Sequence, residues 1–596
     1  MTGRCIAETD FAEFRRHIAV LESALAVHDL PFVQDARGVR GRRWRMELMR
    51  LRILIRARIA MAATLAAVLS IASPPASAAV SLLTFDELEQ LYAVDTPPAE
   101  LAAKLDTLLN TPFVDNSASS AGVQPVRPEI TGSERGIRVA MWNIERGLEY
   151  QAIVGAFRGP STFETFINPS EYPHGSAERA ALTKEVALLQ SADVVILNEA
   201  DWGVPRSGYR NVAGDLAAAL RMNWAYGVEF VEVDPLTMGT ETFAEIEDPA
   251  KREEFVGNLP RVDRRRMKGM HGTAILSRYP LENVRIVRFR NQGHDWYADE
   301  KKGVSELESG KRKATEVAFL EKITREVRRG NRMFMLADIR DPLIPGGLAT
   351  IVAAHLEART KPEIRVGQLE EILLAIRDIP HPVILAGDMN TSSSDSTPTS
   401  IKREITKRLG STSFWAKEGI KAATGVGLVV TAPISAYGYF KKYRDPTARS
   451  IPLFAENKEA KFFKTLEDFR FTDTGRFDFR GESVRSSNGR SGTLANSNER
   501  ASKGFASTFK LEQTYGPTGK LKLDWIFVKP PVSADGKNEG YRFAPHYGRT
   551  LTRLNYAGAN RISDHCPILV DLPFDEPPAQ PEPAKKKRRL PFMRSS

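Results

Sequence analysis

The sequence contains only two cysteines, Cys5 and Cys566, among 596 residues. If processing removes Cys5, the mature chain has one cysteine and no internal disulfide, so its stability must come from a hydrophobic core. Cys566 begins the apolar segment CPILVDL and is predicted to be a buried small side chain rather than a reactive thiol. A core-stabilised globular domain is therefore the expected class.

The N-terminal region lacks an apolar run long enough to cross a bilayer. Ile59–Ala72 spans 14 uncharged residues, whereas a membrane-spanning helix needs about 20. Arginines between positions 50 and 58 precede the run, two prolines end it, and residues 76–78 (ASA) resemble a cleavage site. This pattern predicts that residues 1–78 are an N-terminal extension with a cleaved signal peptide, started at Met46 or Met49, and that the mature protein is exported to the periplasm or the extracellular space. A membrane anchor is the alternative.

The central part of the chain also lacks net charge. The formal charge of the whole chain is +10, but residues 1–78 hold 12 basic and 7 acidic side chains, and residues 585–596 hold 6 basic and none acidic. The remaining body is close to neutral, which excludes global basicity as an argument for a nucleic-acid substrate. The Pro/Lys/Arg-rich tail, 575–596, is predicted to be disordered, with contact to an anionic surface as a second interpretation.

What the body does contain is an alternation of short strands and helices. A helical lead and a Ser/Pro-rich linker occupy residues 79–135, and a single catalytic domain is predicted over 136–574. Two insertions are expected within it, near 299–331 and 391–518, and the second is too long to be a structureless loop. Strand-like segments lie at Ile137–Trp142, Val194–Leu197, Trp224–Val233, Gly272–Leu276, Asn283–Phe289, Ala349–Ala354, Val383–Ala386, Leu523–Val528 and Pro567–Val570, and helix-like segments at Ala177–Gln190, Val212–Leu220 and Ile364–Ile379. This order favours a layered fold that combines helices and strands.

Polar side chains follow most of these strands. The strings are NIERG at 143–147, NE at 198–199, LSRYP at 276–280, His355, GDMN at 387–390, DWIF at 524–527 and SDH at 563–565. Each alone has an ordinary explanation, since a carboxylate at a strand end usually forms a turn or caps a helix. A single histidine is usually a hydrogen-bonded structural residue. Only the whole set predicts a site.

In this order the strings resemble the motifs of the endonuclease/exonuclease/phosphatase superfamily, which includes deoxyribonucleases, abasic-site endonucleases, sphingomyelinases and inositol-phosphate phosphatases. The resemblance covers about residues 136–572, and GDMN followed by DWIF and SDH is its most specific part. It implies an α+β fold, a four-layer α/β/β/α sandwich of two stacked mixed β-sheets flanked by helices.

The resemblance also implies roles for individual residues. Glu199 is the expected metal ligand, with Asn143 beside it and Asp564 as a second carboxylate, and the expected ion is Mg²⁺, with Mn²⁺ or Ca²⁺ as alternatives. Asp388 is expected to orient or deprotonate the attacking water, and Asn390 to bind a phosphate oxygen.

The remaining implied roles concern the phosphate itself. His355 and His565 are expected to flank it and to stabilise its charge or protonate the leaving group, while Asp524 orients an imidazole. Arg278 is expected to clamp the phosphate, although it could equally cap the turn that precedes Tyr279.

These features predict an exported, metal-dependent phosphoesterase, with nucleic acid (DNA or RNA) as the first candidate substrate. Hydrolysis of a phospholipid or sphingolipid headgroup, as a phosphodiesterase or a phosphomonoesterase, is the alternative within enzymes. A catalytically silent binding scaffold is the alternative outside them, although the complete residue set argues against it. A monomer without a stable partner is expected.

Overall fold

The computed structural model describes residues 80–131, 134–242, 248–257, 259, 261–302, 326–392, 458–491, 499–501, 504–515, 518–532 and 540–576. They belong to one compact unit that begins at Val80. The predicted signal peptide, most of the tail and large parts of both predicted insertions lie outside the described residues.

The described helices are α1 (Phe85–Ala93), α2 (Ala99–Asn110), α3 (Ser117–Ser120), α4 (Tyr150–Arg158), α5 (Pro160–Phe163), α6 (Ala177–Gln190), α7 (Val212–Leu220), α8 (Pro235–Met238), α9 (Pro249–Gly257), α10 (Ala298–Lys301), α11 (Pro362–Ile376), α12 (Ala460–Asp468) and α13 (Thr552–Asn555), with 3₁₀ turns at Glu164–Phe166, Pro205–Ser207, Pro345–Gly347 and Ser483–Arg485.

The described strands are β1 (Phe113–Asp115), β2 (Glu129–Thr131), β3 (Glu134–Arg146), β4 (Val194–Trp202), β5 (Asn223–Glu232), β6 (Met270–Ser277), β7 (Glu282–Arg288), β8 (Arg328–Gly330), β9 (Met333–Arg340), β10 (Leu348–His355), β11 (Val383–Asp388), β12 (Arg500–Ala501), β13 (Gly504–Phe505), β14 (Phe509–Tyr515), β15 (Thr518–Leu521), β16 (Asp524–Lys529), β17 (His546–Thr550) and β18 (Ile568–Pro573).

Two mixed sheets form the centre of the described structure. The first has the order β1-β5-β6-β4-β3-β18-β17, with β2 paired to β3 and β8 paired to β5; the second has the order β16-β11-β10-β9-β7. Each sheet contains one parallel pair, β3 with β4 in the first and β10 with β11 in the second. In each parallel pair, the carboxyl ends of both strands carry motif residues and lie at the same edge of the sheet.

The inner strands of both sheets carry apolar side chains on both faces, so one face packs against the other sheet and the other face packs against helices. Ile137, Val139 and Met141 of β3 belong to the core between the sheets, together with Met335 and Ala337 of β9. The intervening side chains of β3 point the other way, into the core beneath the helices.

Helices cover the two outer faces. Leu182, Val186 and Leu189 of α6 pack with Val195 and Leu197 of β4 on the first sheet. On the second sheet, α11 and α12 bury an aliphatic stripe and two phenylalanines against the outward side chains of β10, β11 and β16. The four-layer α/β/β/α sandwich is therefore confirmed.

The segment predicted as a lead and linker contributes to this domain. Leu88, Leu91 and Leu108 of α1 and α2 are fully buried in the same core as α6, and β1 adds an edge strand to the first sheet. The Asn116 side chain exchanges two hydrogen bonds with the backbone of Leu281 (3.0 and 2.8 Å). The domain thus begins close to residue 80 rather than at 136.

Part of the predicted insertion, 391–518, is described and contains α12 and the short strands β12, β13 and β14. Strand β9, which lies between β10 and β7 in the second sheet, was not predicted. In the described part of the chain, no helix combines the length and apolarity needed to cross a membrane.

Candidate active site

The motif residues meet at one edge of the stacked sheets. His355 and Asp388 are register partners on the parallel strands β10 and β11, and Asp388 also faces Asp524 across β11 and β16. The side-chain amide of Asn143, on the other sheet, donates to Glu199 Oε1 and to Asp388 Oδ2, both at 3.2 Å. The site therefore lies where the ends of the two sheets come together.

The backbone at this edge is irregular. Glu145, Arg146, Glu199 and Asn390 all have positive φ angles, between 45° and 66°, which non-glycine residues seldom adopt. The pairing of β4 also shifts register against both neighbours, after Asn143 on β3 and after Leu197 on β4 itself. Bulges and strained residues are common beside functional sites because they redirect side chains.

Gly387 is required by the close approach of β10 and β11. Its φ is 155°, and a Cβ atom at this position would lie 1.7 Å from the carbonyl oxygen of Ala354. Only glycine avoids this clash, so the glycine of GDMN allows Asp388 to lie directly beside His355.

His565 is held between two carboxylates. Its Nδ1 lies 2.8 Å from Asp524 Oδ2, and its Nε2 lies 3.7 Å from Asp388 Oδ2. Burial alone would lower the pKa of His565, but Asp524, Asp388 and Asp564 raise it well above its usual value. Burial raises the pKa of Asp388, and the charge of Asp524 adds to this effect. His565 is therefore suited to carry a proton at the site.

His355 has different neighbours. Its Nε2 is 3.7 Å from Asp388 Oδ2 and 4.0 Å from Glu199 Oε1. Behind the ring, a guanidinium nitrogen of Arg332 lies 2.6 Å from Nδ1, and Glu229 Oε2 lies 3.5 Å from it. Because a guanidinium can only donate, Nδ1 accepts this hydrogen bond and the ring proton lies on Nε2, which faces the site.

Arg332 and Glu229 were missed in the sequence. Glu229 lies within β5 and is fully buried, and Arg332 lies just before β9. Neither belongs to a strand-end motif, and their mutual ion pair forms only when the strands of the two sheets stack. No pattern in the sequence could have paired them.

A cluster of carboxylates lies on the other side of Asn143. The backbone N–H of Asp564 donates to Glu145 Oε2 (2.8 Å). Burial raises the pKa of Asp564 to about 7. Repulsion from Glu145 and Glu199 raises this pKa further, whereas the positive charge of His565 opposes the increase. Burial likewise raises the pKa of Glu145. Glu145 was also missed, although it lies inside the NIERG string.

Glu199 remains ionised within this cluster. Burial alone would raise its pKa, but the positive charges around it hold the pKa well below its ordinary range: those of His355 and His271 when they are protonated, and those of Arg146 and Arg332. Glu199 has the Asn143 amide beside it, and the charges of Glu145 and Glu199 both act on Asp564. These groups offer hard oxygen ligands, and a divalent cation would relieve the repulsion between the carboxylates. The residues present therefore fit a metal such as Mg²⁺.

A second possible metal-binding group is formed by Asp388, Asp524 and His565, whose ligand atoms lie within 4.8 Å of one another. Nδ1 of His565 is already engaged by Asp524, and Asp388 accepts from Asn143 and from the backbone of Asn390. Several ligand atoms of this second group are therefore already used in hydrogen bonds within the site.

Asn390 is at the site, and one of its amide hydrogens bonds the carbonyl oxygen of Leu356 (2.9 Å). Its backbone N–H donates to Asp388 Oδ1 (2.8 Å). These two bonds fix the position of the side chain next to Asp388, on the loop that follows β11.

The structure corrects the role predicted for Arg278. Val194, the first residue of β4, pairs with Ser277, and the backbone N–H of Arg278 donates to Asp193. Arg278 therefore lies beyond the opposite end of β4 from Glu199, about 20 Å away at 3.3 Å per residue. Its guanidinium donates to the carbonyl oxygen of Gln190 at the end of α6 (3.3 Å). Arg278 therefore fixes a loop and does not reach the phosphate site.

The described structure is a two-sheet sandwich that carries two histidines, a buried Asp–His pair and several carboxylates at one edge. Residues 142–565 match the model of the Endonuclease/Exonuclease/phosphatase family, and the chain belongs to that family. Its members are phosphodiesterases and phosphatases that act on nucleic acids and other phosphate esters, typically with a divalent metal. No curated protein sequence matches the chain.

Solved structures with a similar fold have low sequence identity. An endonuclease/exonuclease/phosphatase from Beutenbergia cavernae is 14% identical over 74% of this chain and 72% of its own, with a TM-score of 0.33. The human Nocturnin catalytic domain with bound sulfate is 14% identical over 73% of this chain and 92% of its own, with a TM-score of 0.30. A humanized D. rerio TDP2 is 13% identical over 73% and 98%, with a TM-score of 0.30.

Proposed function

We propose that this protein is a divalent-metal-dependent phosphodiesterase that hydrolyses nucleic acid. The observation that carries the proposal is the position of Asp388, whose Oδ2 lies 3.7 Å from Nε2 of both His355 and His565. The Asn143 amide links the same oxygen to Glu199. A phosphate group bound here would contact two imidazoles, one activating carboxylate and the metal side of the site together.

The cation would be held by Glu199 and Asn143, with Glu145 and Asp564 next to them. When bound, Mg²⁺, or Mn²⁺ or Ca²⁺ in its place, neutralises charge on the non-bridging phosphate oxygens. Without it, the carboxylates at this edge would repel an anionic substrate.

The protein's own side chains would perform the remaining steps. Asp388 orients the attacking water and accepts its proton, helped by its raised pKa. His565, whose Nδ1–H is directed at Asp524, stabilises the developing charge or donates a proton from Nε2 to the leaving oxygen. His355 donates from Nε2 to a phosphate oxygen.

The test is hydrolysis by the purified protein of plasmid DNA, RNA, sphingomyelin, inositol phosphates and bis-p-nitrophenyl phosphate, with Mg²⁺, Mn²⁺, Ca²⁺ or excess chelator. We expect cleavage of nucleic acid with metal and none with chelator. Turnover of sphingomyelin or inositol phosphates without cleavage of nucleic acid would contradict the proposed substrate and favour the ester that is hydrolysed. Unchanged turnover in chelator would end the metal-assisted mechanism, and no turnover of any ester would favour a silent scaffold.

The metal site is tested by Glu199→Gln, which removes a negative charge and keeps the size of the side chain. Metal affinity and rate should fall together, and excess Mg²⁺ or Mn²⁺ should partly restore the rate. Glu282→Gln, the same change at a half-exposed residue of β7, is the matched control and should behave like the parent. A Glu199→Gln protein with the parent's metal dependence would contradict the assignment.

We also propose that the protein is exported, on the basis of the apolar run Ile59–Ala72 and the ASA site at 76–78. The mass of the protein recovered outside the cytoplasm should correspond to a chain that starts at Ala79. Recovery of the exported protein with residues 1–78 intact would contradict the cleavage.

A further inference from the structure

A basic segment lies on the loop before β6. Residues 261–268 read RVDRRRMK, with five basic side chains and one acidic one. We call this segment the basic ridge. The total charge of the catalytic domain does not indicate the basic ridge, because acidic side chains elsewhere in the domain balance its positive charge. A local concentration of cations requires its own explanation, since like charges repel.

The basic ridge ends at the active-site edge of the first sheet. His271 pairs with Asp201, which lies two residues beyond Glu199 on β4. The backbone N–H groups of Lys268 and Gly269 donate to the carbonyl oxygen of Gly203 (2.7 and 3.2 Å). Gly203 is four residues beyond Glu199, so this contact lies about 13 Å from the metal carboxylate at 3.3 Å per strand residue.

Two of the arginines are fixed by the protein itself. Arg264 donates to Asp86 and to Glu89 (both 2.8 Å). Arg266 donates to the carbonyl oxygen of Gly208 (2.8 Å) and lies over the ring of Tyr209. Within the described residues the contacts of this pair therefore anchor the ridge to the domain.

The other three cations are different. Arg261 and Arg265 are exposed and Lys268 is half-buried, and none of the three has a side-chain hydrogen bond or an ion pair with any residue that the structure describes. Among the described residues the loop thus presents three positive charges without a partner, on a backbone that its neighbours hold in place. This arrangement favours an anionic ligand with several charges.

We propose that Arg261, Arg265 and Lys268 bind the backbone phosphates of a nucleic-acid strand whose scissile phosphate lies at the active site. This inference rests on the proposed function. At about 3.4 Å per nucleotide, 13 Å corresponds to about four nucleotides beyond the cleaved bond. Substrates shorter than this do not reach the ridge.

Nucleic acid fits the ridge better than a membrane surface does. The exposed large hydrophobic residues of the described structure are Val114, Val126, Leu148, Leu236, Val256, Leu343 and Leu374, and none lies in the ridge. A surface that inserts into a bilayer combines cations with exposed apolar side chains. The ridge instead resembles the phosphate-contacting surfaces of proteins that follow a nucleic-acid backbone.

The test compares two triple variants of the full chain. R261Q/R265Q/K268Q neutralises the ridge. R285Q/R377Q/R476Q removes the same charge from three exposed residues that also lack a described ion pair and lie away from the active-site edge. Binding of a fluorescent 16-nucleotide single strand is measured in chelator across a salt series, and hydrolysis of that strand, of a dinucleotide and of bis-p-nitrophenyl phosphate is measured with Mg²⁺.

The ridge variant should bind the 16-nucleotide strand about tenfold more weakly at low salt, and its log–log salt slope should fall by about 2, at about 0.7 per lost phosphate contact. Its hydrolysis of the 16-nucleotide strand should fall to a similar extent, while the dinucleotide and bis-p-nitrophenyl phosphate stay within twofold of the parent. The control variant should match the parent throughout. Equal losses on long and short substrates, or equal behaviour of the two variants, would overturn the proposal.

Two results separate this inference from the proposed function. If the parent hydrolyses esters but the ridge variant binds the 16-nucleotide strand as the parent does, only the ridge is wrong. If binding depends on the ridge but the parent hydrolyses no ester, the ridge stands and the catalytic proposal fails. Loss of binding to phosphatidylglycerol vesicles with unchanged affinity for the strand would assign the ridge to a membrane and overturn its proposed ligand.

Discussion

His565 and His355 lie on opposite sides of Asp388, at equal distances from it, but different groups stand behind their rings. Behind His565 is the carboxylate of Asp524, at 2.8 Å from Nδ1. Behind His355 is the guanidinium of Arg332, at 2.6 Å from Nδ1. A carboxylate stabilises a protonated imidazole, whereas a guanidinium requires the ring nitrogen to accept. Two identical residues at one site are thereby prepared for different tasks.

Because of this difference, one site can contain both a protonated imidazole, His565, and a neutral imidazole with a fixed donor direction, His355. His565 keeps its proton because three carboxylates raise its pKa. His355 is oriented as a donor at Nε2 by Arg332, which Glu229 in turn holds in place. Substitutions of these residues should therefore have unequal effects.

The largest effect is expected for His565. Both His565→Ala and His565→Gln should lower kcat by about 10²–10⁴-fold, because general acid–base assistance is typically of this size and an amide cannot supply a proton. Added metal should restore neither variant. Steady-state kinetics with saturating Mg²⁺ measure the loss. A kcat of His565→Gln close to that of the parent would contradict proton donation by His565.

A smaller and graded effect is expected for His355. His355→Ala should lower kcat/KM by about 10–100-fold, the usual cost of one hydrogen bond to a charged group. His355→Gln should recover part of this loss, because an amide can also donate. Equal activities of the two variants, with no recovery, would show that His355 does more than donate a hydrogen bond.

The groups behind the rings should shift the pH profile differently. Asp524 raises the pKa of His565, so Asp524→Asn should lower that pKa and move the alkaline limb of the kcat profile to lower pH. Arg332→Gln, behind the other ring, should reduce the rate and leave this limb in place. Profiles of kcat from pH 5 to pH 10 test the contrast, and identical shifts in both variants would contradict it.

No effect on activity is expected at a third buried histidine, which concerns stability alone. His546 has a backbone carbonyl behind Nδ1 (Ala544, 2.8 Å), and burial lowers its pKa to about 4, assisted by Arg485. The unfolded chain binds the proton near pH 6.5 and the folded chain only near pH 4. Stability contributed by this residue is therefore complete above pH 6.5 and is lost as the pH falls, by about 3 kcal/mol.

Chemical denaturation at pH 7 and pH 4.5 measures this loss. His546→Gln should show a smaller decrease in unfolding free energy between the two pH values than the parent does. His174→Gln, at an exposed residue, should show the same decrease as the parent. Equal decreases in all three proteins would mean that His546 does not contribute.

The basic ridge and the histidine pair also differ in how visible they were in the sequence. Four residues could be predicted because each adjoins an apolar strand in a string that resembles a family motif, and strand ends meet at sheet edges: His355, Asp388, Asp524 and His565. The ridge was not recognised because only its position in space, beside β4, connects it with the site.

The sequence by itself predicted a layered fold and half of the described strands, because hydrophobic periodicity is a local property. The two-sheet sandwich and the motif residues followed from the resemblance of the strand-end strings to the family's motifs. The sequence did not determine β9, whose apolar residues follow a long charged segment, nor the packing of α1 and α2 into the domain. The false assignment of Arg278 has the same cause: whether a strand end is at the site depends on strand direction.

Only the tertiary structure decided which side chains stand behind the two histidines. Arg332 and Glu229 come from segments separated by more than 20 residues from His355, and their ion pair exists only because β5, β9 and β10 stack across two sheets. The pairing of β3 with β4 and with β18 inside the first sheet likewise brings Glu145 to Glu199 and Asp564. Local sequence chemistry thus fixes which groups are available, and long-range packing fixes the charge that each of them experiences.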